Sequence, residues 1–312
     1  MQVVLSNGAD RFMQYLITGG TGFIGSRLVH RLLSEGHQVV VLSRQPAKDV
    51  RQQLSTRVKP VSSLSVVNPS MYFDAVINLA GEGILDKRWT KARKKVLLDS
   101  RIGVTSELVD LIERMENKPG CFISASAVGY YGSFCSGEPL DESAEVGKGF
   151  AATLCYRWEQ AVRRIEALGV RTCIVRLGVV LHPSGGALQR MLPVFRLALG
   201  GAIGSGRQIM SWIHMDDVLD ALCYLVNHPE TKGVFNVVSP EILTNKVFAK
   251  ELGRAVRRPA IVTMPEYVLL LMLGESSQLL TGGAAVIPKR LQDAGFTFTY
   301  PNIRKALTSL PL

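Results

Sequence analysis

Short stretches rich in β-branched residues alternate with amphipathic stretches through the first 180 residues of the chain. The strand-like stretches are QYLITG, HQVVVLS, DAVINLAG, CFISASAV and RTCIVRLGVVL. Apolar strands separated by helices are typical of a parallel sheet buried on both faces, because each parallel crossover needs a helix to cover the sheet. The sequence therefore predicts an α/β fold with a Rossmann-type, doubly wound parallel sheet.

Three helix-like stretches lie between these strands. They are IGSRLVHRLLSEG, a long stretch from about Lys91 to Met115, and LCYRWEQAVRRIEAL. In the first, leucine and valine recur at helical spacing, and Gly36 follows where a helix would stop.

The stretch YLITGGTGFIG, residues 15–25, joins the first strand to the first helix. Its glycines satisfy both G-x-G-x-x-G and G-x-x-G-x-x-G spacing. Such a turn lets the backbone approach a pyrophosphate, and the helix that follows offers free N–H groups and about half a positive charge. The turn therefore predicts a dinucleotide site.

The end of the second strand indicates which dinucleotide binds. A carboxylate there would bind a ribose 2′-hydroxyl, whereas an arginine accommodates a 2′-phosphate. The sequence VVVLSRQP offers Ser43 and Arg44 and no carboxylate. Because a guanidinium can form two charge-assisted bonds to a phosphate, we predict NADP(H) rather than NAD(H) as cofactor.

The texture of the sequence changes after Leu181, where a glycine-rich segment surrounds one amphipathic stretch. We predict an NADP-binding domain over residues 13–181 plus about 211–239. A small C-terminal substrate lobe is predicted from about 182–210 plus 240–312. Residues 1–12 are predicted to be an N-terminal extension, because Met13 begins the stretch MQYLITGG.

Composition narrows the classes of partner. Lys and Arg outnumber Asp and Glu by 36 to 26, a formal net charge of +10, but no recognition motif accompanies the charge, so nucleic-acid binding is not predicted. No long apolar run or signal peptide is evident, so no membrane association is predicted. The five cysteines show no metal-like spacing. This pattern predicts no metal site and a cytoplasmic protein with reduced thiols.

Several longer motifs carry a resemblance to a known family. TGGTGFIG, NLAG, SASAVGYYG and IHMDD resemble the extended short-chain dehydrogenases/reductases, the superfamily of sugar-nucleotide epimerases and dehydratases. AGEGILDKRWT, RLGVVLHPSGGALQRMLP and GESSQLLTGGAAVIPKRLQDAGFTF are similar to one atypical, epimerase-like branch, whose bacterial members are often labelled SulA-like cell-division inhibitors. The resemblance runs from about Met13 to Leu307. It implies a Rossmann domain with a small substrate lobe.

The resemblance also assigns residues to the cofactor. It places the following along the pyrophosphate: Gly19, Thr21, Gly22, Phe23 and Ile24. It places Ser43 and Arg44 at the 2′-phosphate. The residues that it places beside the adenine-side ribose are Asn78, Leu79, Ala80 and Gly81. The residues that it places facing the nicotinamide are Ser124, Ala125, Ser126, Arg176, Leu177 and Gly178. Members commonly pair through the long helices, here near 91–115 and 153–168, so a homodimer is the assembly it suggests.

The sequence departs from this superfamily at the working centre, where a standard member has Tyr-x-x-x-Lys on a helix. None of the eight tyrosines is followed four residues later by lysine. Alignment puts Ala151 at the tyrosine position and Cys155 at the lysine position, where we expect the cysteine to be a small buried hydrophobe. Ser126 remains as a catalytic candidate. A neighbouring tyrosine, Tyr131 or Tyr130, could supply the acid or simply pack.

Several other polar residues have either a functional or a purely structural interpretation. Lys148 lies on a glycine-rich loop near the serine strand. His214 with Asp216 and Asp217 could be a functional group, or an aspartate could cap the helix that follows. Arg207 and Trp212 could contact an anionic substrate.

Two functions remain open. The chain is either an NADP(H)-dependent oxidoreductase or epimerase acting on an unknown small molecule, or a non-catalytic NADP(H)-binding sensor.

Overall fold

The computed structural model describes residues 12–133 and 138–312. Residues 1–11 of the predicted extension lie outside the described residues, as does Cys135. Within the two described ranges, no helix combines the length and the apolar character needed to cross a membrane.

The strands are β1 (Gln14–Thr18), β2 (Gln38–Leu42), β3 (Lys59–Val61), β4 (Ala75–Asn78), β5 (Cys121–Ala127), β6 (Thr172–Leu177), β7 (Val179–Leu181), β8 (Trp212–His214) and β9 (Gly233–Val237). The α-helices are α1 (Phe23–Ser34), α2 (Ala47–Gln53), α3 (Lys91–Leu98), α4 (Val104–Arg114), α5 (Phe150–Glu166), α6 (Gly186–Arg196), α7 (Met215–Asn227), α8 (Asn245–Ala255), α9 (Glu266–Leu273), α10 (Gln278–Thr281), α11 (Lys289–Asp293) and α12 (Ile303–Ser309). Short 3₁₀ turns cover Leu64–Val66, Val128–Tyr131 and Gly274–Ser277.

One parallel sheet forms the centre of the molecule. Its strand order is β3-β2-β1-β4-β5-β6-β9, and every neighbouring pair runs parallel. Ile17 of β1 lies between Val41 of β2 and Ile77 of β4. The strand order reverses between β1 and β4, and in doubly wound sheets ligands bind at the carboxyl ends of strands at such a point. The predicted fold class is confirmed.

The core lies between this sheet and its helices. The helical stripe predicted for α1 is buried against the sheet, and Gly36 just beyond α1 has the left-handed φ of +88° that suits a helix stop. Leu108 and Ile112 of α4 are likewise fully buried. The amphipathic stretches therefore became the layers that cover the parallel strands.

Several elements differ from the prediction. The stretch RTCIVRLGVVL, predicted as one strand, forms β6 and β7 in two different sheets, and the short helix α2 was not predicted. The edge strand β3 was not predicted, because it is three residues long and contains Pro60, which a strand tolerates mainly at a sheet edge. The helix predicted from about Lys91 to Met115 is interrupted by a π-helical turn over Asp99–Gly103. Such turns are rare in proteins overall. Those that occur often lie at functional sites.

A second hydrophobic cluster lies outside the main core. It joins β7, β8, α6, α8 and α12, with Trp212 and Phe248 fully buried at its centre. The tail returns to the main core through Leu291, Phe296 and Phe298. The predicted boundaries of the substrate lobe stay a prediction.

Asp217 attaches this tail to helix α7. The carboxylate is fully buried and accepts hydrogen bonds from the backbone N–H groups of Thr299 (2.8 Å) and Tyr300 (3.0 Å). Burial raises the pKa of Asp217 to about 6, although the two N–H groups act in the opposite direction.

This carboxyl predicts a pH dependence of stability. Because the raised pKa means that the folded chain binds the proton more tightly than the unfolded chain, the free energy of unfolding should fall as pH rises from about 4 to about 6. The contribution is at most about 3 kcal/mol, at about 1.4 kcal/mol per pKa unit. Urea unfolding across this range should show the decrease in wild type and not in Asp217→Asn. Asp216→Asn, an exposed neighbour, is the control and should keep it; an equal slope in Asp217→Asn would contradict this role.

Candidate functional site

The glycine-rich turn places the start of α1 at the carboxyl end of β1. The backbone N–H of Gly22 donates to the carbonyl of Gly19 (2.9 Å), and Gly22 precedes the helix with no side chain capping it. The first N–H groups of a helix have no partner within the helix. This helix start is therefore able to bind an anionic group.

Two glycines of the turn are required by close backbone approach. Gly19 has a φ of +69°, and a Cβ on it would lie 2.5 Å from the carbonyl oxygen of Leu79. A Cβ on Gly25 would lie 2.2 Å from the carbonyl oxygen of Gly19. No side chain fits at either position without moving the backbone. The ring of Phe23 packs against Gly185, so the helix start also contacts the segment after β7.

The ends of β1 and β4 are joined by buried hydrogen bonds. Thr18 donates to the side-chain oxygen of Asn78 (2.6 Å), and the Asn78 amide donates to Thr105 of α4 (3.0 Å). The same amide lies 3.5 Å from the hydroxyl of Ser124 on β5. The structure thus brings three predicted groups of residues to the carboxyl ends of the central strands. They are the glycine-rich turn, residues 78–81 and residues 124–125. Asn78 and Ser124 are themselves fully buried.

Arg44 lies at the end of β2 with 90% of its side chain exposed. Its guanidinium pairs with Glu82 (3.1 Å), and hydrogen bonding from Arg44 holds the pKa of Glu82 below its usual value. Ser43 is buried and accepts a hydrogen bond from the backbone N–H of Gln45 (3.1 Å). Sequence reasoning did not single out Glu82, although its position between two glycines marks a tight turn.

The π-helical turn holds the loop that carries Glu82. Arg101 donates to the carbonyl oxygen of Glu82 (3.0 Å), and the backbone N–H of Glu82 donates to Ser100 (3.2 Å). Gly81 lies directly against the Arg101 guanidinium, which a Cβ would approach to 3.0 Å. The interruption of the long helix therefore positions the loop beside Arg44.

The two predicted catalytic residues belong to one buried network. Ser126 donates to Glu159 (2.7 Å), which forms a two-pronged ion pair with Arg176 (2.9 Å for each bond). Arg176 also donates to the hydroxyl of Tyr131 (2.9 Å), which donates in turn to Asn236 (2.7 Å). Ser126 and Tyr131 are 2% and 0% exposed. Burial raises the pKa of Tyr131 to about 12, so its phenol is protonated at neutral pH.

Glu159 and Asn236 were missed because no sequence motif marks them. The one signal was a glutamate at a position of α5 that the helical spacing places on the buried face. Buried carboxylates are rare unless paired, so this position predicts a cationic partner.

The two residues that the resemblance aligns with the tyrosine and the lysine lie on α5. Cys155 is buried, as predicted, and burial raises its thiol pKa to about 11. Ala151 lies on the same helix, against Gly129. At the end of β6, Gly178 follows Leu177, and its N–H donates to the carbonyl of Val237 (3.1 Å).

A cavity of about 150 Å³ opens beside these residues. Ala151 and Gly129, which are in contact, both line it, as does Val179 at the start of β7. Segments around 187–191, 203–211 and 278–284 form the rest. Lys148 lies on the wall near the start of α5. The cavity therefore adjoins the carboxyl ends of β5 and β6, where the residues predicted to face the nicotinamide lie.

The remaining polar candidates do not line this cavity in the described part of the chain. The imidazole of His214, rather than an aspartate, caps α7 by accepting from the backbone N–H of Asp216 (3.1 Å), so the predicted aspartate cap is wrong. Trp212 is fully buried in the second cluster, which excludes the substrate contact considered for it. Arg207 is exposed outside the cavity.

The buried ion pair predicts a large stability effect. Glu159→Gln leaves the Arg176 guanidinium buried without a counter-charge, so the free energy of unfolding should fall by about 3 to 5 kcal/mol. Asp293→Asn removes a carboxylate from an exposed pair with Lys289 and should cost less than about 1 kcal/mol. Urea unfolding of both variants tests the contrast; equal losses would show that the network does not stabilise the fold.

Comparison with known proteins agrees with this arrangement. The model of the NAD dependent epimerase/dehydratase family matches residues 15–238, and a domain of unknown function (DUF1731) matches residues 264–310. The epimerase family protein YfhF of Bacillus subtilis (strain 168) is 38% identical over 299 residues, covering 96% of this chain and 98% of that protein.

Solved structures show the same fold. The crystal structure of the human epimerase family protein SDR39U1 (isoform 2) with NADPH has a TM-score of 0.86 at 34% identity, covering 96% of this chain and 99% of the human chain. A UDP-glucuronic acid 4-epimerase from Bacillus cereus has a TM-score of 0.70 at 18% identity, covering 96% and 97% of the two chains, which shows the fold alone. The epimerase resemblance is thus confirmed, and the chain belongs to the NAD dependent epimerase/dehydratase family.

Proposed function

We propose that this protein is an NADP(H)-dependent oxidoreductase or epimerase-type enzyme acting on a small molecule. The observation that carries the proposal is the uncapped start of α1, behind a turn too tight for side chains, at the reversal point of a parallel sheet. A dinucleotide pyrophosphate fits such a turn. The human relative crystallised with NADPH supports the same cofactor.

The residues around the turn would divide the cofactor between them. Backbone N–H groups from Gly19 to Ile24 would bind the pyrophosphate, and the loop at 78–81 would flank the adenine-side ribose. Arg44, highly exposed at the end of β2, would bind the 2′-phosphate beside Ser43. Ser124, Ala125, Leu177 and Gly178 would lie towards the nicotinamide, next to the cavity.

Bound NADPH supplies a hydride, so the protein must supply a proton and hold the substrate. Ser126 and Tyr131 are our proposed catalytic residues. Each hydroxyl now donates within the network, to Glu159 and Asn236 respectively, so each must exchange that bond before it reaches substrate. Lys148 already lies on the cavity wall and is the alternative proton donor.

We also propose a cytoplasmic homodimer that pairs through the helices near 91–115 and 153–168, which are α3, α4 and α5. The four cysteines among the described residues are free thiols, which suits a reducing compartment. Tyr156 on the outer face of α5 is 43% exposed, which leaves apolar surface for a second copy.

Cofactor selectivity tests the assignment of Arg44. Arg44→Ala should weaken NADPH binding about 10- to 100-fold, because a charge-assisted hydrogen bond contributes about 1.5 to 3 kcal/mol. NADH binding should change less than about twofold. Arg51→Ala removes a nearby exposed charge on α2 and should leave both affinities unchanged. Parallel losses for both dinucleotides in Arg44→Ala would remove the role given to this residue.

Turnover tests the catalytic assignment. The protein should oxidise NADPH with some members of a panel of carbonyl compounds, or form epimers from nucleotide sugars. Ser126→Ala and Tyr131→Phe should each lower kcat on the order of 10²-fold while NADPH still binds. Urea unfolding of both variants separates a chemical effect from a loss of fold.

A silent panel would favour the second candidate function. Tight NADPH binding without any turnover would fit a non-catalytic sensor. The specific observation for that function is that neither predicted catalytic hydroxyl is exposed to the cavity.

A further inference from the structure

The cavity beside the predicted nicotinamide residues also indicates the class of substrate. We propose that it takes a small apolar carbonyl compound rather than a nucleotide sugar; this inference rests on the proposed function. Most of the side chains on its wall are apolar. Those with the largest apolar surface are Trp89, Phe150, Met191, Met210, Leu279 and Leu280. Such a wall favours a hydrocarbon body, since about 25 cal/mol is gained for each Å² of apolar surface removed from water.

Three of the five uncharged polar side chains on the wall are engaged with the protein itself, whereas Ser133 and Gln278 make no side-chain hydrogen bond within the described residues. Gln208 donates to the carbonyl oxygens of Ile203 and Leu280 (3.1 Å each). Asn245 accepts from the backbone N–H of Ile203 (2.8 Å), and Ser211 donates to the carbonyl of Ala284 (2.7 Å). These groups fix the loops that form the cavity. To bind the hydroxyls of a sugar they would have to give up those bonds.

The cavity wall carries few cationic groups that could bind a diphosphate. Among the described residues that line the cavity, Lys148 is the one cationic side chain. Of the nearby arginines, Arg190 is paired with Asp86, Arg88 donates to the backbone of Leu271, and Arg207 is exposed outside the cavity wall. A nucleotide sugar would bring two phosphates to one ammonium group, and burying a charge without a partner is costly.

Lys148 suits one polar atom instead. It is exposed to water and lies on the wall beside Gly149, where α5 begins. A single carbonyl oxygen directed towards Lys148 leaves the rest of the molecule against the apolar wall. Ligand sites usually combine an apolar lining with a few polar groups that orient the ligand.

Calorimetric titration of the NADP⁺-saturated protein tests the substrate class with 2-octanone and UDP-glucose as probes. We expect saturable binding of 2-octanone and at least tenfold weaker binding of UDP-glucose. Saturation with NADP⁺ is established first, so its failure counts against the proposed function alone. The cavity can then still be titrated without cofactor. Absent 2-octanone binding, or tighter binding of UDP-glucose, overturns the substrate class.

A charge placed on the apolar wall gives a matched test. Met191→Lys should weaken 2-octanone binding at least tenfold without weakening UDP-glucose binding, because the added ammonium opposes the ketone and favours the phosphates. Val194→Lys adds the same charge on the same helix, at a position 40% exposed outside the cavity wall, and should change neither affinity. NADP⁺ binding of both variants reports that they are folded. Equal 2-octanone affinity in Met191→Lys and wild type overturns the assignment.

Discussion

The backbone of Gly25 packs onto the carbonyl of Gly19, and the arrangement of the candidate site follows from that contact. It is possible only without a Cβ, and it brings the first turn of α1 directly behind β1. The left-handed conformation of Gly19 also admits the carbonyl of Leu79 at the end of β4. Three elements therefore converge on one small volume, with the positive end of the α1 dipole directed into it.

A second constraint acts at the other end of the site. The pair of Glu159 and Arg176 connects α5 to β6, while Ser126 and Tyr131 attach β5 and the turn after it. Asn236 continues the network into β9. In a standard family member the helix would carry a proton relay here, as the resemblance implies. The resemblance aligns small residues of this helix with those positions, and the buried ion pair of this chain connects the helix to β6.

The sequence was sufficient for the features that depend on local pattern. Apolar strands, the stripe of α1 and the glycine spacing each follow from neighbouring residues, and so the sheet and the helix start could be predicted. The edge strand β3 could not, because three residues containing Pro60 leave no pattern to detect. The π-helical turn over Asp99–Gly103 could not be predicted either, because no residue type marks a local change from i→i+4 to i→i+5 hydrogen bonding.

The site was predictable in its backbone and less so in its side chains. Partners such as Glu82 for Arg44, or Glu159 for Arg176, are 38 and 17 residues apart in the chain and meet only through the tertiary fold. Ser126 was identified from the family resemblance and Tyr131 from its place after the serine strand, but the sequence did not show that their hydroxyls are buried. The capping of α7 by His214 depends on an imidazole orientation that no spacing reveals.

Arg44 already has an anion beside it, and this changes what the proposed cofactor must do. In the role proposed for Arg44, the extra phosphate competes with the Glu82 carboxylate for one guanidinium, so any weakening of the existing ion pair is subtracted from the free energy of binding. The second proton of a phosphate monoester dissociates near pH 6, whereas pairing keeps Glu82 ionised well below that pH. Acidification therefore weakens the phosphate as a competitor and leaves the carboxylate at full charge. The preference for the phosphorylated coenzyme then decreases as pH falls through about 6, where the phosphate gains a proton. This dependence arises through Glu82, which does not need to contact the nicotinamide.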